Sequence, residues 1–168
     1  MKVDNLVVTG GLGFIGKNFC EVIGSNYDNK FIIDKGTYAS DLDFYYKNLK
    51  PKGWKLIICD VNEIAELDQI QGLANLLIIN FAAESHVDHS FSNANHFMKA
   101  NALGTLAILD YARETNAKVI HISTDEVYGE VTNSAATEDS LLNPTNPYSA
   151  TKASADLLAQ TYCRCFGV

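Results

Sequence analysis

Thr9-Gly10-Gly11-Leu12-Gly13-Phe14-Ile15-Gly16 is the most informative stretch of this sequence. It follows an apolar run and opens an amphipathic segment, which places the glycines in a turn from a strand into a helix. Glycines at this spacing let a pyrophosphate approach the backbone closely, and the N–H groups that begin the helix then face the phosphates. The stretch therefore predicts a dinucleotide-binding turn, with contacts from Gly10, Gly13, Phe14, Ile15 and Gly16, although a glycine triplet alone can mark a tight turn.

Short β-branched runs alternate with longer helical patterns along the chain, which is typical of repeated βαβ units and a parallel sheet. The predicted strands are residues 5–9, 30–34, 55–59, 76–80 and 118–123. The predicted helices follow Gly13 and span residues 61–72, 93–115 and 147–166. Residues 38–53 are expected to form a loop with one short helix, and residues 130–145 a surface loop. We expect an α/β fold, a Rossmann-type doubly wound sheet of strand order 3-2-1-4-5, truncated before its last strands.

The composition is that of one globular domain. The chain has 168 residues, of which 47% are hydrophobic and 20% charged. Its formal net charge of -7 disfavours nucleic acid as a partner. No apolar run approaches the roughly 18 residues needed to span a bilayer, so we expect no membrane contact and a cytoplasmic location. The four cysteines lack paired spacing, and His86 and His89 have no third ligand nearby, so we expect no metal site.

Acidic and small residues follow the second, third and fourth predicted strands. Asp34 can accept hydrogen bonds from both adenosine ribose hydroxyls, and its charge would repel a 2′-phosphate, which favours NAD over NADP. Asp60 could contact adenine, but a role as N-cap of the next helix is equally plausible. Phe81, Ala82 and Ala83 would let a cofactor pass close to the backbone, and plain packing explains the alanines nearly as well.

Tyr148 and Lys152 lie four residues apart at the start of the last predicted helix, so they share one face. A nearby ammonium is expected to lower the tyrosine pKa from its reference of about 10. Tyr148 is therefore a candidate base for a substrate hydroxyl. The same spacing is common on helix surfaces, but here it follows a predicted strand that ends in Ser123-Thr124.

Together these residues resemble the extended short-chain dehydrogenase/reductase superfamily. The match runs through the glycine turn, Asp34, Asp60, Ala82-Ala83, Asn101, Thr124 and Tyr148-Ser149-Ala150-Thr151-Lys152. Three strings are similar to the dTDP-glucose 4,6-dehydratase family: Asp34-Lys35 with Thr37-Tyr38-Ala39, Ala82-Ala83-Glu84-Ser85-His86-Val87-Asp88, and Ser123-Thr124-Asp125-Glu126-Val127-Tyr128-Gly129. The chain departs from that family at Gly36, where leucine is usual, and at His89, where arginine is common.

The resemblance implies an enzyme that uses NAD to convert a nucleoside-diphosphate glucose, dTDP-glucose or UDP-glucose, to its 4-keto-6-deoxy sugar. Asp125 would protonate the departing C6 hydroxyl, and Glu126 would take the C5 proton. From the residues alone, both could be acids in the first turn of a short helix. A joint role requires the strand to end by Thr124, since adjacent strand residues point to opposite faces.

The predicted site residues fall into three overlapping sets. The catalytic set is Thr124, Asp125, Glu126, Tyr148 and Lys152. The substrate-binding set is Ser85, His86, Thr124, Asp125 and Glu126. The cofactor-binding set is Gly10, Gly13, Phe14, Ile15, Gly16, Asp34, Lys35, Thr37, Asp60, Val61, Phe81, Ala82, Ala83, Tyr148 and Lys152.

The helices predicted at 93–115 and 147–166 have apolar residues on more than the sheet-facing side, which predicts a homodimer. The resemblance implies that these helices pair into a four-helix bundle. It places the remaining strands and the nucleotide-sugar-binding region beyond Val168. Two alternatives remain open, a non-catalytic module that binds NAD or dimerises, and a related nucleotide-sugar epimerase.

Overall fold

The computed structural model describes residues 3–23, 27–130 and 135–168. Five parallel strands form one sheet in the order β3-β2-β1-β4-β5. They are β1 Asn5–Thr9, β2 Asn29–Asp34, β3 Trp54–Ile58, β4 Leu76–Asn80 and β5 Lys118–His121. The predicted Rossmann-type fold and strand order are confirmed. Strand order reverses between β1 and β4, which is where doubly wound sheets open a ligand crevice at their carboxyl ends.

Helices cover both faces of this sheet. The α-helices are α1 Phe14–Val22, α2 Leu42–Phe44, α3 Val87–Ser92, α4 Ala94–Phe97, α5 Gly104–Thr115 and α6 Pro147–Phe166. π-helical turns span Tyr45–Leu49 and Met98–Leu103, and 3-10 helices span Lys50–Lys52, Val61–Glu66 and Asp125–Tyr128. Within the described residues, no helix is both long and apolar enough to cross a membrane.

Two predicted segments differ from the structure. The helix predicted at 61–72 is wrong, because only Val61–Glu66 is helical and it is a 3-10 helix. Its apolar residues recur at every third position, Val61, Ile64, Leu67 and Ile70, and side chains three apart eclipse in a 3-10 helix. The loop predicted at 38–53 is also largely wrong, since helical turns run from Leu42 to Lys52 and bury Tyr45 and Leu49.

The other predicted boundaries hold closely. β1, β4 and α6 have the predicted bounds, whereas β5 ends two residues early and the helix predicted at 93–115 is interrupted by a π-helical turn. Residues 131–134 of the predicted surface loop lie outside the described residues, and the described residues 135–146 form no helix or strand.

Alternating side chains of the central strands build two cores. Val7 of β1 packs on one face of the sheet with Ile33, Ile78 and Ile108. Its neighbours Leu6 and Val8 pack on the other face, in a cluster completed by Leu12, Cys20, Ile32, Tyr45, Leu49, Trp54 and Ile79. Each fully buried aliphatic side chain stabilises the fold by about 1.5–3 kcal/mol. The sheet is therefore held from both sides, as a parallel sheet requires.

The glycine turn after β1 lies directly against the segment after β4. Gly10 has a φ of +66° and donates its N–H to the Ile33 carbonyl at 2.8 Å. A Cβ at this position would lie 2.6 Å from the Ala82 backbone nitrogen. A Cβ on Gly16 would collide with the Gly10 carbonyl. Both glycines are therefore required by close backbone approach.

We expect Gly10→Ala to destabilise the protein far more than Gly72→Ala. Gly72 has a similar φ of +71°, and apart from its chain neighbours no atom of the described residues would lie within 4 Å of a Cβ there. Both variants incur the left-handed strain of about 1–2 kcal/mol, but only Gly10→Ala adds overpacking of about 1–3 kcal/mol. Urea unfolding of the two variants measures the difference. Equal losses would show that the Gly10 turn can move away from Ala82.

Candidate active site

The site lies at the carboxyl ends of the parallel strands. Thr9 pairs with Asn80, and Asn80 pairs with His121, so β1, β4 and β5 end at nearly the same level. The Thr9 hydroxyl donates to the Asn80 side chain at 2.6 Å beneath this edge. The segments that follow these strands therefore meet above the sheet.

A cleft of about 130 Å³ opens between those segments. Most predicted cofactor residues line it, namely Gly10, Gly13, Asp34, Lys35, Thr37, Val61, Phe81, Ala82 and Ala83. The lining also includes Ala39, Ser40, Glu84 and Ala100, which were not predicted as site residues. The structure thus brings together the residues after β1, β2 and β4 around one cavity.

Six predicted cofactor residues are absent from this lining, as far as the structure describes the chain: Phe14, Ile15, Gly16, Asp60, Tyr148 and Lys152. Phe14 and Ile15 are 79% and 62% exposed in the first turn of α1. Among the described residues no side chain caps this helix, whose N-cap is Gly13. Its first N–H groups are therefore suited to an anionic ligand.

Asp34 is buried and already has several hydrogen-bond partners. Its carboxylate accepts from the Leu12 N–H at 2.9 Å, the Gly36 N–H at 2.9 Å and the Ser40 hydroxyl at 2.6 Å. A carboxylate offers roughly four acceptor sites, so about one remains beyond these described partners. The expectation that Asp34 accepts from two ribose hydroxyls therefore requires the Ser40 hydroxyl to turn away.

Asp60 is the N-cap of the 3-10 helix that follows β3. Its Oδ1 accepts from the Asn62 N–H at 3.0 Å, and the Lys35 ammonium lies 2.8 Å from its Oδ2. Partial burial opposes ionisation, but the Lys35 and Asn62 hydrogen bonds outweigh it and lower the Asp60 pKa to about 2. The structure thus shows the capping role, and contact with adenine stays a prediction.

The acid pair lies just beyond the sheet. β5 ends at His121, so the condition that the strand end by Thr124 is met. Thr124 caps the 3-10 helix Asp125–Tyr128 by accepting from the Glu126 N–H at 3.4 Å. Asp125 is exposed, whereas Glu126 is half-buried and accepts from the Asn146 side chain at 3.0 Å. Both carboxylates therefore sit on a short, capped turn.

Tyr148 is only 7% exposed in the first turn of α6, next to this acid pair. Burial raises its pKa above the usual 10.0, and the charges of Glu126 and Asp125 add to this, while a hydrogen bond with Thr124 acts in the opposite direction. The prediction that Lys152 lowers the tyrosine pKa is therefore wrong. Burial is the largest cause of the raised pKa, and the charges that act on the phenol are those of the two acids.

Lys152 is 3% exposed and donates to the Ile122 carbonyl at 2.7 Å. Burial lowers its pKa to about 8, and the charge of Asp156 one turn further along α6 partly opposes that effect. The lysine is thus anchored to the end of β5 while it shares the α6 face with Tyr148.

A buried polar network lies beneath Lys152. The Ala82 N–H donates to the Asn80 Oδ1 at 3.1 Å, so the Asn80 Nδ2 is the donor toward the His121 Nδ1, also at 3.1 Å. The single ring proton of neutral His121 is therefore assigned to Nε2, and the Asp156 Oδ1 lies 3.5 Å from that nitrogen. Burial and the Lys152 charge lower the His121 pKa to about 3. The imidazole is therefore neutral near pH 7.

Asn101 links the cofactor cleft to the first turns of α6, where Tyr148 lies. Its Oδ1 accepts from the Glu84 N–H at 2.8 Å, and its Nδ2 donates to the Thr151 hydroxyl at 2.9 Å. The Thr151 hydroxyl in turn donates to the Tyr148 carbonyl at 2.7 Å. The sequence indicates Asn101 only through its resemblance to the short-chain dehydrogenase/reductase superfamily, because an isolated asparagine within a helical pattern gives no signal of its own.

Ser85 and His86 lie on a different segment from the acid pair, and their role in substrate binding stays a prediction. Both are exposed at the start of α3, where the His86 ring centroid is 5.8 Å from that of Tyr38 and 5.5 Å from that of His89. A neighbouring cavity of about 370 Å³ is lined by Thr37, Tyr38, Glu84, His89, Ser92, Asn93, His96 and Phe97. The described part of the chain contains no cluster of three or more His, Cys, Asp or Glu residues suited to a metal.

Comparison with known proteins agrees with this geometry. Residues 7–168 match the family model described as GDP-mannose 4,6 dehydratase. The low-salt glycan biosynthesis protein Agl12 of Haloferax volcanii is 42% identical over 160 residues, which cover 94% of this chain and 51% of that protein. The chain thus spans about half the length of the curated relatives it matches.

Solved structures share the fold over nearly the whole chain. DesIV, a dTDP-glucose 4,6-dehydratase from Streptomyces venezuelae solved with NAD bound, has a TM-score of 0.88 and 35% identity and covers 98% of this chain and 53% of that one. UDP-glucose 4-epimerase from Brucella ovis, in complex with NAD, has a TM-score of 0.85 and 26% identity over 99% of this chain and 50% of that one. With its strand order, its glycine turn and its match over residues 7–168, the chain belongs to the GDP-mannose 4,6 dehydratase family of nucleotide-sugar enzymes.

Proposed function

We propose that the protein takes part in the NAD-dependent dehydration of a nucleoside-diphosphate glucose to its 4-keto-6-deoxy sugar. dTDP-glucose is the first candidate substrate and UDP-glucose the second. One observation carries the proposal: Glu126 is bonded to Asn146, the N-cap of the helix whose first turn holds the buried Tyr148. Acids suited to eliminating water thus lie close in the fold to a tyrosine suited to oxidising a hydroxyl.

The cleft fits NAD. The start of α1, which no described side chain caps, offers N–H groups for a pyrophosphate, and Gly10 lets the turn before it lie close against Ala82. Asp34 supplies a buried negative charge for a ribose. A bound NAD would supply the hydride acceptor for C4 and the hydride donor for C6, and relatives with this fold were solved with NAD bound.

Tyr148 takes the proton of the C4 hydroxyl as the C4–H bond breaks. The buried phenol resists ionisation, so positive charge close to it is needed, and Lys152 on the same helix face supplies such a charge. Lys152 retains it near neutral pH, because its pKa of about 8 lies above 7. The Ile122 carbonyl fixes where the ammonium lies.

Glu126 and Asp125 carry out the loss of water. The ketone formed at C4 acidifies the C5 proton, which the Glu126 carboxylate removes. The electron pair of the C5–H bond forms the C5–C6 double bond as the C6–O bond breaks, and Asp125, in its protonated form, donates the proton that completes the departing water. Hydride then adds to C6 and a proton returns to C5, so the overall reaction needs no external oxidant.

Two other functions remain as alternatives. A non-catalytic module that binds NAD or dimerises would have no need for a buried lysine anchored beside a buried tyrosine. A 4-epimerase would use the tyrosine and the cofactor but has no water to eliminate. The hydrogen-bonded Glu126 next to Asp125 therefore favours the dehydratase.

We expect variants of the two catalytic groups to stop the reaction at different steps. In the full-length protein, Tyr148→Phe should slow reduction of the bound cofactor by sugar nucleotide by about 100-fold or more. Asp125→Asn combined with Glu126→Gln should leave that reduction largely intact and lower product formation by a similar factor. Absorbance of the reduced cofactor and product analysis separate the steps.

Tyr46→Phe is the matched control, because Tyr46 is 57% exposed on a different helical turn. It should change neither step. An Asp125→Asn/Glu126→Gln double variant that forms product at the unmutated rate would reduce the pair to acids of a helix terminus.

We expect the cofactor preference for NAD over NADP to depend on the charge of Asp34. Asp34→Ala should weaken this preference about tenfold, since one repulsive charge beside the 2′-phosphate is worth about 1.4 kcal/mol or more. Ser40→Ala removes a hydrogen bond from the same carboxylate and leaves its charge, so the preference should persist. Titration of both cofactors measures this, and equal affinities in the unmutated protein would remove the basis of the claim.

We infer a homodimer formed through α5 and α6, in the cytoplasm. Large apolar side chains on and before these helices are half-exposed, with Leu103 at 50%, Leu157 at 55% and Phe166 at 51%. An apolar surface of this kind is typical of subunit contacts.

Leu103→Glu and Leu157→Glu should convert the dimer to monomer in sedimentation, whereas Leu141→Glu, at a position 88% exposed in a loop, should not. An unmutated protein that stays monomeric at high concentration would contradict the inference.

A further inference from the structure

Asn146 connects two parts of the site that the proposed reaction uses at different steps. It is the N-cap of α6, and its Oδ1 accepts from the Ser149 N–H at 2.8 Å. Its Nδ2 donates to the Glu126 Oε2 at 3.0 Å. Because the oxygen must face the Ser149 donor, the amide orientation is fixed and the nitrogen must point toward Glu126.

Asparagine alone among the usual N-cap residues supplies both contacts. Serine and threonine cap helices well but lack a second polar atom that could reach Glu126 while the first one caps. Aspartate caps equally well and would place a like charge against the Glu126 carboxylate. Asparagine at position 146 therefore both caps the helix and contacts Glu126, which the other capping residues would not do.

We propose that Asn146 is a positioning residue for Glu126, which holds one oxygen of that carboxylate against the start of α6 so that the other oxygen can take the C5 proton. The inference rests on the proposed function. The Asn146 contact also ties Glu126 to the helix that carries Tyr148 and Lys152. The groups for oxidation and for elimination are thereby held around one bound sugar.

Three charged or titratable groups of the described residues bear on the test at Glu126. Asp125 lies on its own 3-10 helix, and Tyr148 faces it from α6. Lys152 follows Tyr148 one turn along α6 and is bonded to the Ile122 carbonyl. Substitutions at Asn146 leave all three in place, so a change in pH dependence reports on Glu126 and its new neighbour.

The test uses Asn146→Ser and Asn146→Asp in the full-length protein. Both keep an N-cap, so urea unfolding should stay close to the unmutated protein. Both should leave cofactor reduction within about threefold and slow product formation about tenfold or more. In both variants the acidic limb of the pH profile for product formation should move to higher pH, because the amide donor that favours the Glu126 carboxylate is lost. The move should be larger in Asn146→Asp, which adds a like charge.

Ser149→Ala is the matched control, since it weakens the cap of the same helix without touching Glu126. It should lower stability and leave the ratio of product formation to cofactor reduction unchanged. Asn146 variants that slow both steps in parallel, or that leave the ratio and the pH profile unchanged, would overturn the proposal and leave Asn146 as a helix cap only.

A second measurement separates this inference from the proposed function. The side-chain amide signals of Asn146 in an NMR spectrum should shift in Glu126→Gln and stay in place in Asp125→Asn. Unmoved signals would overturn the contact even in an active dehydratase. An unmutated protein that neither reduces cofactor nor forms product would overturn the proposed function and the role in elimination, while the amide signals still decide the contact.

Discussion

The parallel pairing of β1 with β4 is the interaction on which the rest of the site depends. Strand order reverses at this pair, so the chain leaves β1 toward one side of the sheet and β4 toward the other, which opens a crevice between them. The crevice stays narrow because Gly10 approaches the Ala82 backbone without a side chain. Asn80 then fixes the level of the edge, since it bonds to Thr9 on one side and to His121 on the other.

Burial of charge is the second constraint, and it acts on Lys152. A pKa of about 8 instead of 10.5 means that the ionised lysine costs the folded protein on the order of 3 kcal/mol at neutral pH. The Ile122 carbonyl and Asp156 offset part of the desolvation, and the neutral His121 adds no competing charge. A lysine held at such a cost beside a buried tyrosine is better explained by chemistry than by stability.

The fold could be predicted from the sequence because its signals are local and repeated. The glycine turn and the β-branched runs specify βαβ units, and the apolar positions of β1 and β4 allow few other registers. The segment after Asp60 was mispredicted, since apolar residues at every third position satisfy a 3-10 helix as well as an α-helix. The turns around Tyr45 were missed, because their polar and aromatic residues resemble a loop until packing against Trp54 is known.

The candidate site was predicted less completely, because its decisive contacts are long-range. Asp34 and Tyr148 stood out from motif spacing. Nothing in the sequence shows that Ser40 occupies part of the Asp34 carboxylate, or that burial and two acids raise the tyrosine pKa. Asn146 could have been recognised as a helix cap from the Asn-Pro-Tyr-Ser string. Its second bond, to a residue 20 positions away, appears only in three dimensions.

The final position of the C4 hydrogen of the sugar distinguishes a 4,6-dehydratase from a 4-epimerase. If the site oxidises C4 and then eliminates water from one bound sugar, deuterium placed at C4 of dTDP-glucose should appear at C6 of the 4-keto-6-deoxy product formed by the full-length protein with NAD. Deuterium found again at C4 of an epimerised sugar would contradict the account and indicate a 4-epimerase. Labelled dTDP-glucose and UDP-glucose that are both recovered unchanged would contradict it as well, and would leave a module that binds its cofactor without turnover.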